Sequence, residues 1–129
     1  MAPTALELSP LEWKKYHPAK AYHRQSPQER IALAGRRREA LRIANRAARL
    51  LMEHYGARRV VLFGSLARRG AFTPFSDIDL AAWGIPPERF FAAVAEITGM
   101  SAEFRLDLVD SDVCSPSLRA TLEQDGITL

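Results

Sequence analysis

The sequence predicts an α/β sandwich of two or three layers. Three observations lead there: short β-branched and aromatic runs alternate with amphipathic segments of helical period; serine, proline and glycine stand at the segment ends; and two of the short runs carry aspartates in alternation with apolar residues.

Residues 1 to 25 contain Pro3, Pro10 and Pro18 and no sustained periodicity, so a partly ordered extension is expected, with Trp13, Tyr16 and Tyr22 available for docking. Ser26-Pro27-Gln28-Glu29 supplies an N-cap, a proline at the first helical position and the glutamate of a capping box. Over residues 26 to 56 this predicts a basic amphipathic helix packed on the core. At 100° per residue Ala40, Leu41, Ile43, Ala44, Ala47, Ala48, Leu50, Leu51 and Tyr55 share one face, while Arg38, Arg42, Arg46 and Arg49 gather on the other. Gly56 ends the helix. Gly35 weakens it, so its first two turns are expected to kink or to meet a different neighbour.

Residues 57 to 129 are read as the core of the fold. Arg59 to Phe63 predicts a buried strand, Ser65 to Arg69 a short helix, and Gly70 to Phe75 a loop broken by Pro74. Asp77 to Ala81 predicts the second strand. Pro86-Pro87-Glu88 starts a helix ending at Gly99, with Phe90, Phe91, Val94, Ala95 and Ile97 as its apolar residues. Phe104 to Val109 alternates and reads as the third strand. Ser115-Pro116 caps a last helix that reaches Gln124 and stops near Gly126.

Composition narrows the function. At 129 residues, 47% hydrophobic and 26% charged, the chain has the size and make-up of one soluble domain. No apolar run approaches the roughly 18 residues of a membrane span. The first ten residues lack a basic start and an apolar stretch, so a cytoplasmic location is expected. The single cysteine, Cys114, excludes an internal disulfide and is read as a small, partly buried hydrophobe. His17, His23 and His54 are scattered and suggest no zinc site.

The net charge of +3 hides an asymmetry: residues 1 to 59 hold 13 Lys/Arg against 5 Asp/Glu, residues 60 to 129 hold 5 against 10. An acidic back half suits a divalent cation; the basic front half suits nucleic acid, an acidic partner or solvent. Glu39 and Glu53 flank the arginine face and no aromatic residues interleave it, so nucleic acid is the less expected of the three.

In a strand, residues i and i+2 point to the same side, so Asp77 and Asp79 share a face while Ile78 and Leu80 enter the core. Asp107, between Leu106 and Leu108, is turned from the core by the same alternation and joins the pair if the strands are neighbours. Bare, such carboxylates repel. Mg²⁺ fits them, since it combines a few carboxylates with substrate phosphates. Two such ions serve an in-line displacement. Gly64-Ser65, at the end of the preceding strand, lets the backbone approach a phosphate, the N–H groups opening the expected short helix offer an anion site, and Arg68 adds a fork of donors. Neither a Walker loop nor a dinucleotide fingerprint is present.

Three segments, Val61-Leu62-Phe63-Gly64-Ser65-Leu66-Ala67-Arg68, Ser76-Asp77-Ile78-Asp79-Leu80 and Leu106-Asp107-Leu108-Val109-Asp110, together with the stretch from Ser117 to Ile127, resemble the minimal nucleotidyltransferases of the DNA polymerase β superfamily. The resemblance covers roughly residues 40 to 129. It implies a nucleotidyltransferase fold, with a small mixed sheet flanked by helices and preceded by a long N-terminal helix. It further implies transfer of a nucleoside monophosphate, most simply AMP from ATP. By the same resemblance Asp77 and Asp79 are metal ligands, Asp107 a third ligand or base, and Gly64, Ser65, Arg68 and Ser76 nucleotide-binding residues. Small members of the family commonly act as antitoxins paired with helical HEPN ribonuclease toxins, some by adding AMP to a tyrosine. Two features depart from the family pattern: the extension of residues 1 to 25, and Arg69 between Arg68 and Gly70. The alternatives are a non-catalytic antitoxin or binding module of the same fold, and transfer to RNA or a small hydroxylated molecule.

Overall fold

The computed structural model describes residues 25–129, which fall in two units, one ending at Ala32 and one spanning Leu33–Leu129. The expectations for residues 1 to 24 lie outside the described residues. In the first unit the capping box forms as its spacing requires. Ser26 Oγ accepts from the Glu29 N–H at 3.0 Å, and Glu29 Oε1 accepts from the Ser26 N–H at 2.7 Å.

Helix α1 spans Pro27–His54 without interruption at Gly35. Its apolar stripe is buried at Ala40, Ile43, Ala44, Ala47, Ala48 and Leu51, all at i, i+3 and i+4 spacings. Gly56, at φ +80°, turns the chain out of the helix, and the Ala57 N–H caps the Leu51 carbonyl at 3.0 Å.

The sheet follows. Strands β1 (Arg59–Phe63), β2 (Ile78–Trp83), β3 (Leu106–Asp110) and β4 (Ile127–Thr128) lie in the order β3-β2-β1-β4. β2 and β3 are parallel; β1 runs antiparallel to both β2 and β4. The expected small mixed sheet is therefore present, with an edge strand that the sequence reading did not include. β4 is two residues long and forms only because Gly126 brings the chain onto β1: a Cβ there would meet the Leu122 carbonyl at 2.4 Å and Val61 Cγ1 at 2.5 Å.

Helices cover both faces. On one, Val60, Leu62, Ile78, Leu80, Ala82 and Leu106 form a core with the α1 stripe and with Ala93 and Ile97 of helix α2 (Pro87–Thr98). On the other, Val61 and Ala81 meet Leu122 of helix α3 (Pro116–Asp125), with Phe63, Trp83, Val109, Cys114 and Leu118 packed around them. This resolves the layers as three. Cys114 is a partly buried packing residue, as its composition suggested.

Of the apolar residues named for α2, Phe91 and Ala95 are exposed, Phe91 at 86%. The face turned inward is Phe90, Ala93, Val94 and Ile97, at i, i+3, i+4 and i+7. One expectation needs correction. The segment Ser65 to Arg69 is a turn, not a short helix. Gly64 and Gly70 both adopt positive φ, +77° and +74°, and the five residues between them are held by two i→i+3 hydrogen bonds, Ala67 N–H to Gly64 O and Ala71 N–H to Arg68 O. No helix N-terminus follows Gly64-Ser65.

The packing makes a contrast that unfolding experiments check. Leu62→Ala, at a fully buried position of β1, is expected to cost about 2–5 kcal/mol in urea unfolding. Phe91→Ala should stay within about 0.5 kcal/mol of the parent; a loss comparable to that of Leu62→Ala would contradict the exposed placement of Phe91.

Candidate active site

The register of the two parallel strands assembles the carboxylates. Asp79 pairs with Asp107 across β2 and β3, and Ile78 pairs with Leu106 and Leu80 with Leu108 on either side. The apolar pairs face the α1/α2 core at 0–9% exposure, so Asp79 and Asp107 face the opposite layer as lateral neighbours on strands about 4.8 Å apart. Asp77 lies just before β2, two residues from Asp79 and near enough for its charge to act on that carboxyl. All three are half-buried.

The cost of this crowding is concentrated on Asp79. Burial pushes its carboxyl above the usual carboxylate range, the negative charges of Asp107 and then Asp77 push it further the same way, and Arg105 opposes them. Arg105 Nε stands 3.4 Å from Asp107 Oδ1. This exposed contact could have been read from the sequence, since residues 105 and 107 share a face of the strand.

Gly64 sits against the same carboxylate. A Cβ on Gly64 would lie 2.3 Å from Asp79 Oδ2, and its φ of +77° disfavours any L side chain. β1 thus ends with bare backbone pressed against the acidic cluster. The N–H groups of Ser65 and Leu66 that follow donate to no described protein group, because the turn uses only the Ala67 N–H. These are the donors the turn leaves for an anion in place of the expected helix N-terminus.

Ser65 and Ser76 are brought together: Ser65 Oγ donates to Ser76 Oγ at 2.8 Å. Ser76 Oγ also accepts from the Thr73 N–H at 2.8 Å, and Thr73 Oγ1 accepts from the Phe75 N–H at 3.1 Å. The loop from Thr73 to Ser76 is thereby tied to the Gly64-Ser65 turn. Thr73-Pro74-Phe75-Ser76 is a hydroxyl-capped turn whose signal was present in the sequence. Arg68 is exposed on the turn and makes no ion pair among the described residues.

Among the described residues no three His, Cys, Asp or Glu side chains converge as a ready-made cation cage. Mg²⁺ keeps water and takes phosphate oxygens alongside one or two carboxylates. The oxygen-only donors and the mutual repulsion on Asp79 fit such an ion.

No protein-family model matches the chain, and none of the curated proteins matches it. Solved structures do. A toxin–antitoxin structure with AMP-PNP is similar over 66% of this chain and 70% of that one, at 22% identity and a TM-score of 0.55. A MntA–HpeT toxin–antitoxin variant with a tyrosine changed to alanine is 25% identical over 66% and 69% of the two chains, at a TM-score of 0.54. Another MntA–HpeT variant, with two aspartates two positions apart changed to glutamate, is 20% identical over 66% and 70%, at 0.55. The chain has the nucleotidyltransferase fold that the motifs implied. No described helix is long and apolar enough to cross a membrane.

The raised Asp79 has a consequence for stability. Because its carboxyl holds its proton more tightly folded than unfolded, the folded state binds more protons just above the usual carboxylate range, and stability falls as pH rises through that window. Asp79→Asn removes this penalty. The variant should melt higher than the parent at pH 7, and the gap should close as pH falls below the unfolded carboxylate value; a variant that melts lower at pH 7 would contradict the like-charge cluster.

Proposed function

We propose that this chain is a metal-dependent nucleotidyltransferase that moves AMP from ATP to a hydroxyl of a protein partner, and that it acts in this way as the antitoxin of a helical HEPN-type toxin. The observation that carries the reading is the register that sets Asp79 beside Asp107, with Asp77 one strand-period away. The similar structures support it: they are of toxin–antitoxin pairs, one with AMP-PNP and one altered at two aspartates with the spacing of Asp77 and Asp79.

In this reading Asp77 and Asp79 hold Mg²⁺, which when bound neutralises the carboxylates and the triphosphate and polarises the reacting oxygens. The Ser65 and Leu66 N–H groups, the two serine hydroxyls and Arg68 hold and orient the phosphates. Gly64 keeps that turn close to Asp79. The acceptor oxygen attacks the α-phosphorus, the bond to the α–β bridging oxygen breaks, and pyrophosphate leaves. Asp107 takes the acceptor's proton on a carboxylate oxygen, with Arg105 Nε 3.4 Å from that carboxylate. The acceptor is a tyrosine hydroxyl of the toxin.

The arginine face serves a protein or solvent rather than nucleic acid. Arg42 is paired with Glu39 on its own helix, and Arg46 and Arg49 line a groove together with Glu53 and Glu96, so the face is not uniformly positive. Single-stranded RNA is expected to bind at about 10⁻⁴ to 10⁻⁶ M or weaker at physiological salt. A gel shift showing tight binding that Arg42→Ala with Arg46→Ala abolishes would favour an RNA acceptor instead.

Calorimetry and transfer assays separate the roles. Asp77→Asn with Asp79→Asn should abolish Mg·ATP binding, whereas Asp107→Asn should bind Mg·ATP as the parent does. In the Asp107 variant, transfer of label from α-labelled ATP to the toxin encoded beside the chain should fall by about 10²–10⁴. Full transfer by Asp107→Asn, or unchanged Mg·ATP affinity in the double variant, would contradict the assignment.

A further inference from the structure

The sheet face that carries Asp79 bears a second feature at its far end. Asp79 and Trp83 lie on one side of β2, about 13 Å apart along the strand. Beside Trp83 a cleft of about 330 Å³ opens, with Arg59 from β1, Ser111 and Asp112 from the 3₁₀ turn Ser111–Val113, and Arg119 and Glu123 from α3.

Its lining is built for an anion. The Arg59 guanidinium lies over the Trp83 ring, 4.6 Å from its centroid. Stacking covers the guanidinium face and leaves its N–H edge, the part that grips an oxyanion with two parallel bonds. Arg119 lines the cleft from the opposite wall, and neither arginine makes an ion pair with a described residue. Ser111 is 2% exposed, and its Oγ has no hydrogen-bond partner among the described residues. Buried hydroxyls are normally paired, so an unmade hydrogen bond stands in the wall of the cleft.

The lining also holds Asp112 and Glu123, so its formal charges balance, and the placement of the donors is what favours an anion. Asp112 Oδ2 accepts from the Gly84 N–H at 2.8 Å, where Gly84 turns at φ +91° out of β2. Glu123 stands one turn after Arg119, the less favourable order for an intrahelical pair, and makes no ion pair with it. Neither carboxylate is ion-paired with Arg59 or Arg119, so both guanidinia keep their N–H donors for a ligand.

We propose that this cleft binds a small oxyanion, a phosphomonoester or a carboxylate, at a site separate from the nucleotide site. Arg59 and Arg119 hold its oxygens, the indole keeps Arg59 oriented, and the Ser111 hydroxyl gains the partner it lacks. Nothing in this site depends on the transfer reaction.

The test is an NMR titration of the full chain carrying Asp77→Asn and Asp79→Asn, so that the nucleotide site does not report. Inorganic phosphate and acetate are added in separate arms, following the Trp83 indole N–H, assigned with Trp83→Phe, and the Arg59 Nε–H. A saturable shift in the phosphate arm assigns a phosphomonoester site, one in the acetate arm a carboxylate site. Arg59→Gln and Arg119→Gln should each weaken binding about tenfold or more, while Arg49→Gln, which removes the same charge elsewhere, leaves it unchanged. Should both arginine variants fail to fold, Ser111→Ala supplies the reading and should weaken binding several-fold with little change in melting temperature. The proposal is overturned if neither anion gives a saturable shift below the concentration at which ionic strength alone moves the spectrum. Equal weakening by Arg49→Gln, or unchanged affinity in every cleft variant, would overturn it too.

Discussion

The pairing of β2 with β3 is the constraint on which the rest of this structure depends. Burying Ile78, Leu80, Leu106 and Leu108 against the α1/α2 layer fixes the register, and that register leaves Asp79 and Asp107 side by side on the opposite face. A slip of one residue would turn the aspartates into the core and the leucines out, so the apolar half of each strand enforces a placement that the acidic half opposes. The repulsion is tolerated because burial of the apolar partners outweighs it. The result at that point is a carboxyl held above its usual range.

The two faces of the sheet do different work. α1 and α2 seal one completely, and this side supplies most of the core. α3 covers only the middle of the other, over Val61 and Ala81. At one end of that half-covered face stand the carboxylates with the Gly64 turn; at the other stand Trp83 and the two arginines. Polar chemistry occupies the parts of the sheet that α3 leaves uncovered.

The order of elements was legible in the sequence wherever the signal is local. The capping box at Ser26 and the helical stripe from Ala40 to Leu51 depend on neighbours in the chain and formed as read, as did the alternation of Ile78, Asp79 and Leu80, although the strand begins at Ile78 and leaves Asp77 just outside it. Where the outcome depends on contacts distant in sequence, the reading stopped short. β4 exists because Gly126 lets the chain close on Val61, a contact across more than sixty residues that no two-residue strand announces. Phe91 is apolar yet exposed, and the sheet takes Ala93. The turn after Ser65 was misread because helix-forming residues between two glycines carry no information about positive φ at both ends. Asp107 was placed on the correct face by alternation, whereas its position beside Asp79 required the register.

The account's central claim, that Asp77, Asp79 and Asp107 behave as one charged cluster built for a cation and a triphosphate, is tested most directly by following the carboxyl carbons of the three residues by NMR as pH is varied. In the free protein Asp79 should titrate above the usual carboxylate range, and Mg²⁺ with a non-hydrolysable ATP analogue should bring it down sharply. An Asp79 that titrates at the ordinary value and does not respond to the metal and nucleotide would contradict it.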